Sequence, residues 1–213
     1  MATYDLDEQE RLDELKAWWK RWGNTMMIGL AVAVTAVAGW RYWQNHTLTQ
    51  SLEAAAVYEK LTQSLATKDS KGAREAGAML IDQYKGTAYA PRAALLLAKL
   101  NVEGKDLKSA QTQLEWAVAN SKEAAVKDLA RLRLAGVQLD QQQYDAALKT
   151  LDGSHSDAFA FRFHDLKGDV LLAQGKPADA RVAYQAAFSD MQEDNPYRTL
   201  VELKLDAMGG AAK

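Results

Sequence analysis

The stretch from Gly23 to Trp43, GNTMMIGLAVAVTAVAGWRYW, decides what the rest of this chain can be. Between Met26 and Trp40 its only polar side chain is Thr35. Wound as a helix at about 1.5 Å per residue, Gly23 to Tyr42 reaches roughly 30 Å, the thickness of a bilayer's hydrocarbon core. Trp18, Trp19 and Trp22 precede the apolar run, and Trp40, Tyr42 and Trp43 close it. Five of the six tryptophans therefore sit at the two ends of one segment, the pattern of two headgroup-level aromatic belts. A buried helix of a soluble protein is the alternative, but it gives no reason for aromatics to avoid the middle. The expected anchor residues are Trp22, Trp40, Arg41, Tyr42 and Trp43. Gly29 and Ala33, four apart on one face, are small enough to admit a second membrane helix.

Arg11, Lys16, Lys20 and Arg21 precede the span; after it comes Arg41, and then no lysine or arginine until Lys60. The positive-inside rule places the N-terminus in the cytoplasm and the bulk of the chain on the far side. The expected division is a cytoplasmic tail over 1–22, a transmembrane helix over 23–43 and a periplasmic domain over 44–213. A cleaved signal peptide is the rival reading, since Ala36-Val37-Ala38 is a small-x-small site. Against it, the tail is long and acidic, and the apolar run continues into an aromatic anchor. Leu12, Leu15, Trp19 and Trp22 share one helical face. That face either lies along the membrane surface or belongs to a backward extension of the span.

Beyond Trp43 the chain reads as helix, short break, helix, repeated. Apolar periodicity predicts helices over 47–67, 70–84, 88–103, 106–120, 122–139, 144–151, 158–174, from Pro177 to about Asp190, and from near Pro196 to Gly209. Gly104 and Gly175 are the expected terminators, and Ser156 or Asp157 the expected cap after a loop over 152–157. Ala76, Ala110, Ala147 and Ala180 recur in the second helix of successive pairs, at steps of 34, 37 and 33. Ala98, Ala135 and Gly168 stand twelve residues before the last three. A tetratricopeptide repeat is about 34 residues of two antiparallel helices with small residues where they touch. The expected fold is all-α: one N-terminal transmembrane helix followed by a tetratricopeptide-like α-solenoid of three or four degenerate repeats, with a terminal helix as cap.

Two stretches carry a resemblance. Gly39-Trp40-Arg41-Tyr42-Trp43 closes the span, and the C-terminal repeat reads Leu166-Lys167-Gly168-Asp169, Leu171-Leu172, Gly175-Lys176, Ala180-Arg181. With Ala146 to Asp152, they resemble the ancillary Sec translocon subunit family of Gram-negative bacteria. The resemblance implies a bacterial inner-membrane protein, its N-terminus cytoplasmic and its repeat domain periplasmic. It implies the SecYEG translocon and a membrane-anchored periplasmic chaperone of the prolyl-isomerase type as partners, and assistance to exported proteins as the role.

No residue pattern points to chemistry. The chain has no cysteine, so thiolate metal sites and cysteine nucleophiles are excluded. His46, His155 and His164 are scattered, and no hydrolase, zincin or phosphate-loop motif occurs. A net charge of −2 gives no footprint for nucleic acid. No enzyme, cofactor or small-molecule substrate is expected. What remains is a partner-binding groove along stacked helix pairs. Its candidate residues are Arg92, Arg131, Arg133 and Arg162 for polar contacts, with Trp116, Phe159, Phe161 and Phe163 as aromatic anchors; Tyr197 belongs with them. A periplasmic scaffold for envelope assembly or cell-division machinery is the alternative role.

Overall fold

A computed structural model describes residues 3–209 of the chain, with side chains from residue 11 onward. Residues 1–2 of the expected tail and 210–213 of the expected repeat domain lie outside the described residues. The described chain forms nine α-helices and no strand. These are α1 (Thr3–Ala66), α2 (Ser70–Gln83), α3 (Tyr89–Glu103), α4 (Leu107–Asn120), α5 (Ala124–Asp140), α6 (Tyr144–Leu151), α7 (Ala160–Ala173), α8 (Pro177–Ser189) and α9 (Arg198–Ala207). Contacts divide the chain into two units, Met1–Gln50 and Ser51–Lys213.

The first unit is helix alone. The expected tail, span and following helix are one unbroken element of 64 residues, so the amphipathic tail is a backward extension of the span. No proline interrupts it, and its glycines cost a helix only about 1 kcal/mol each. Two of its threonine hydroxyls are satisfied within the helix: Thr35 donates to the Ala31 carbonyl at 2.8 Å and Thr47 to the Trp43 carbonyl at 2.5 Å. From Met26 to Val37 the large apolar side chains are all exposed. The helix carries an 18-residue window apolar enough to cross a membrane, with almost none of it buried.

The second unit is four helix pairs and a cap: the end of α1 with α2, α3 with α4, α5 with α6, α7 with α8, then α9. What proves the repeat is the turn inside each pair. Lys68, Lys105, Gln142 and Gly175 all take positive φ, at 60°, 60°, 58° and 78°. The amide after each one bonds back to a carbonyl five residues earlier, Asp69 to Ser64, Asp106 to Asn101, Gln143 to Gln138 and Lys176 to Leu171, at 2.8 to 2.9 Å. This is one Schellman-type helix stop used four times. Only the fourth uses glycine. Gly104, the expected terminator, has φ −80° and merely precedes the left-handed residue. Asp69 and Asp106 then cap α2 and α4, accepting from Gly72 N and Ser109 N at 3.0 Å.

Close approach within each pair follows the predicted spacing. Ala98, Ala135 and Gly168 are buried on the first helices, and Ala76, Ala110, Ala147 and Ala180 on the second. Ser64, also buried, completes the series. Four residues after each alanine stands a buried large side chain: Leu80, Leu114, Leu151 and Tyr184. Burying one such side chain contributes about 1.5–3 kcal/mol, so the repeated pair of positions forms the spine of the core. Pair follows pair by contact of α2 with α3, α4 with α5 and α6 with α7, and α9 packs on α8 through Val201 and Leu205.

The loop after α6 is organised differently from expectation. Ser156 does not cap α7 with its side chain; its amide and hydroxyl both donate to the buried Asp128 of α5, at 3.0 and 2.7 Å. A 3-10 turn, Asp157–Phe159, then leads into α7.

Candidate binding surface

The expected groove residues do not gather in one place. Phe163 is a correction: it is 1 % exposed and lies in the core with Ala135, Ala147, Leu151 and Val170, so it offers nothing to a partner. Its position on α7, one turn before Gly168, points it at the preceding pair. Trp116 and Phe159 are half-buried against the same stack. Arg131 is a strap for the 152–156 loop, donating to the Ser154 carbonyl beside Asp128. Arg92 of α3 ties to Glu123 ahead of α5 at 2.6 Å. These two arginines are spent on holding the stack together.

Two arginines remain at open surfaces. Arg162 stands beside the rings of Phe161 and Tyr197, at 5.6 and 5.7 Å, and those rings meet edge-on at 5.8 Å. This small patch links α7 to the segment before α9. Arg133 lines a groove of about 330 Å³ between α3 and α5, together with Val102, Leu114, Gly136, Val137 and Asp140. Its guanidinium donates to the Leu95 carbonyl across the groove at 3.3 Å. Partial burial lowers its pKa without threatening its charge, since arginine stays protonated in proteins. Sequence reasoning found Arg133 but missed the rest of this groove. The available signal was Gly136, a glycine inside the most regular helical stretch of the chain.

A cluster that no local pattern announced sits under the cap. Lys204 of α9 donates to Asp165 at 2.7 Å and to both oxygens of Asp169 at 2.7 and 2.9 Å, and the Tyr184 hydroxyl donates to Asp169 at 2.8 Å. Burial is the largest influence on Asp165, which is 5 % exposed, and it raises the carboxyl's pKa against the pull of the lysine. On Lys204 burial works downward, but its bonds to the two carboxylates prevail and the pKa rises. Burial, and then the bond to Asp169, push the Tyr184 hydroxyl up. His155 and His164, nine apart in sequence, are brought to 6.2 Å between ring centroids, and His164 meets Asp190 at 2.7 Å. Among the described residues, no three metal-ligating side chains gather.

The residues expected to anchor the chain all lie on α1 of the first unit. Trp22, Trp40, Tyr42 and Trp43 are all more than half exposed, Arg41 and Ala33 are exposed, and nothing lies within 4 Å of the side-chain position at Gly29.

A model of a tetratricopeptide repeat-like domain matches residues 16–210. A protein of Aggregatibacter actinomycetemcomitans named ancillary SecYEG translocon subunit is 34 % identical over 185 residues, 87 % of this chain and 90 % of the relative. One of the same name from Neisseria gonorrhoeae is 32 % identical over 209 residues, 98 % of this chain and all of the relative. The chain belongs to the ancillary SecYEG translocon subunit family. The Haemophilus influenzae member is 32 % identical over 185 residues, 87 % of this chain and 90 % of its own length. Membership in this family covers α1 as well as the helix pairs, because the Neisseria alignment takes in nearly the whole chain. No solved structure matches this family member.

Proposed function

We propose that this protein is a non-enzymatic, membrane-anchored interaction subunit that works beside the SecYEG translocon. The observation that carries this is the joint likeness. Relatives named ancillary SecYEG translocon subunit align with the bare apolar helix and the repeats together. On this reading residues 23–43 cross the inner membrane, 1–22 stay in the cytoplasm and 44–213 form a periplasmic repeat domain. The basic residues before the span and the exposed apolar run of α1 support that arrangement. Stacked helix pairs with grooves between them suit the binding of a partner segment. Its partners are then the translocon and a membrane-anchored periplasmic chaperone of the prolyl-isomerase type. Tethering raises the local concentration of the domain at the exit site, so individually weak contacts suffice.

The test is crosslinking in intact membranes, followed by solubilisation and affinity purification of the full-length protein. SecYEG components and a membrane-anchored prolyl-isomerase-type chaperone are expected. Recovery of envelope-assembly or division proteins with no translocon component would replace this reading with a periplasmic scaffold.

A further inference from the structure

The groove between α3 and α5 has two features that the fold does not explain. The first is Gly136. Two glycines of the repeat helices are needed for packing: a Cβ at Gly168 would stand 2.4 Å from the Tyr184 ring, and one at Gly77 2.7 Å from Leu97. At Gly136 nothing lies within 4 Å of where a Cβ would be. A glycine weakens the middle of a helix relative to alanine, so here it costs stability and relieves no contact within the chain. Its effect is to leave backbone open at the floor of the groove.

The second feature is Arg133. Its guanidinium is partly buried and bonds to a neutral carbonyl, and among the described residues no carboxylate comes within 4 Å of it. Arg92 and Arg131, which also tie neighbouring helices of the stack, each have an acid, whereas Arg74 and Arg198, like Arg133, bond to neutral oxygens. The charges nearest the groove are Lys99, whose ammonium lies 3.8 Å from Glu103 on its own helix, and Asp140, two turns beyond Arg133. The Arg133 end is therefore cationic, and the floor beside it is apolar, with Val102 37 % exposed.

We propose that this groove binds a segment of a partner protein presenting an apolar side chain next to an acidic one. The apolar side chain covers Val102 and the open backbone at Gly136. The carboxylate meets the guanidinium of Arg133, whose planar fork suits two-point pairing. The inference rests on the repeat domain being the partner-binding part of the molecule, and it names the chemistry of what is bound.

The experiment uses the full-length protein in lipid nanodiscs and two labelled synthetic peptides, one alternating leucine with aspartate and one alternating leucine with lysine. Fluorescence anisotropy reads binding, and empty nanodiscs give the background. The acidic peptide should bind about tenfold more tightly than the basic one, and salt should weaken it. Arg133→Glu should abolish or reverse that preference. Gly136→Trp fills the groove and should cost about tenfold or more in affinity for the acidic peptide. Gly136→Leu serves as the smaller blocking variant if the tryptophan lowers the melting temperature. Equal binding of the two peptides, equal binding to empty nanodiscs, or undiminished binding by a folded blocking variant would each overturn the proposal. Recovery of the translocon by the native protein is a separate readout, so failure here rejects the groove's ligand and not the Sec association.

Discussion

Gly168 and Gly136 occupy the same kind of helix and should respond to alanine in opposite directions. A methyl at Gly168 must push against the Tyr184 ring, which is fixed by burial and by its bond to Asp169. Gly168→Ala is expected to destabilise the domain by about 1–3 kcal/mol, the cost of overpacking. Gly136→Ala meets nothing and should stabilise it by up to about 1 kcal/mol. Denaturant melts of the two variants test the pair; a loss at both would mean that Gly136 is packed after all. The repeat period marked Gly168 as a contact position, whereas Gly136 showed only as a glycine inside a regular helix, with no period to say that the space beside it is open. Lys204 was not legible at all. Its partners lie 39 and 35 residues away on α7, and no periodicity connects them. Two acids share one base there, and the more buried acid bears the cost. Lys204→Met should destabilise by roughly 2 kcal/mol, less than for a fully buried pair because the lysine is partly exposed. The pH dependence has a definite sign. A raised folded pKa at Asp165 means its contribution is present below the ordinary carboxylate range and is lost as pH rises through the folded value. The variant's deficit should shrink on acidification, starting above that range, because Asp165 becomes neutral there and no longer attracts the ammonium. A deficit constant with pH would show that Asp165 does not feel the lysine.

The elements tell a complementary story, because their ends were set by chemistry with a local signature and their continuity was not. The predicted helices 70–84, 88–103, 106–120 and 144–151 match α2, α3, α4 and α6 to within a residue at each end. Aspartate caps and apolar stripes are short-range features, and they survive folding unchanged. The join of tail, span and first repeat helix was missed for the converse reason. Nothing in the sequence between Trp43 and Thr47 forbids a helix, and change of composition was read as change of element. The left-handed turn residues were half legible: Gly175 was marked as a terminator, whereas Lys68, Lys105 and Gln142 carry no such mark. Those three side chains hold a conformation that costs an L-residue about 1–2 kcal/mol. Gln142→Gly should relieve it and stabilise the domain by about 0.5–1 kcal/mol after the extra freedom of the unfolded chain is counted. Gly175→Ala should destabilise by a similar amount. Thermal melts of both check this, and a destabilising Gln142→Gly would mean that the glutamine side chain contributes more than its backbone costs.

At the scale of the whole molecule, one physical conflict has to be resolved. From Met26 to Val37 the first unit exposes seven large apolar side chains, more than a soluble monomer tolerates in one stretch. Lipid resolves it if the segment stays in the membrane, and proteolysis resolves it if Ala36-Val37-Ala38 is a cleavage site. The natural absence of cysteine allows a clean test, since any thiol introduced is the only one. Ala17→Cys lies before the span and Lys122→Cys in the exposed turn between α4 and α5. In spheroplasts, a membrane-impermeant maleimide should label the protein through Lys122→Cys and leave Ala17→Cys unreacted until the membrane is opened. The pattern follows from four basic residues ahead of the span against Arg41 alone behind it. Labelling of Ala17→Cys in closed spheroplasts, with Lys122→Cys protected, would invert the topology and put the helix pairs on the cytoplasmic side. A mature protein from which position 17 is missing, with its mass beginning at Gly39, would mean that the apolar run is a leader. The repeats would then reach their partner by diffusion, and the tethering advantage would be lost. If the label and the intact mass agree with retention, the span acts as both anchor and address, and the groove between α3 and α5 is held on the side where exported chains emerge.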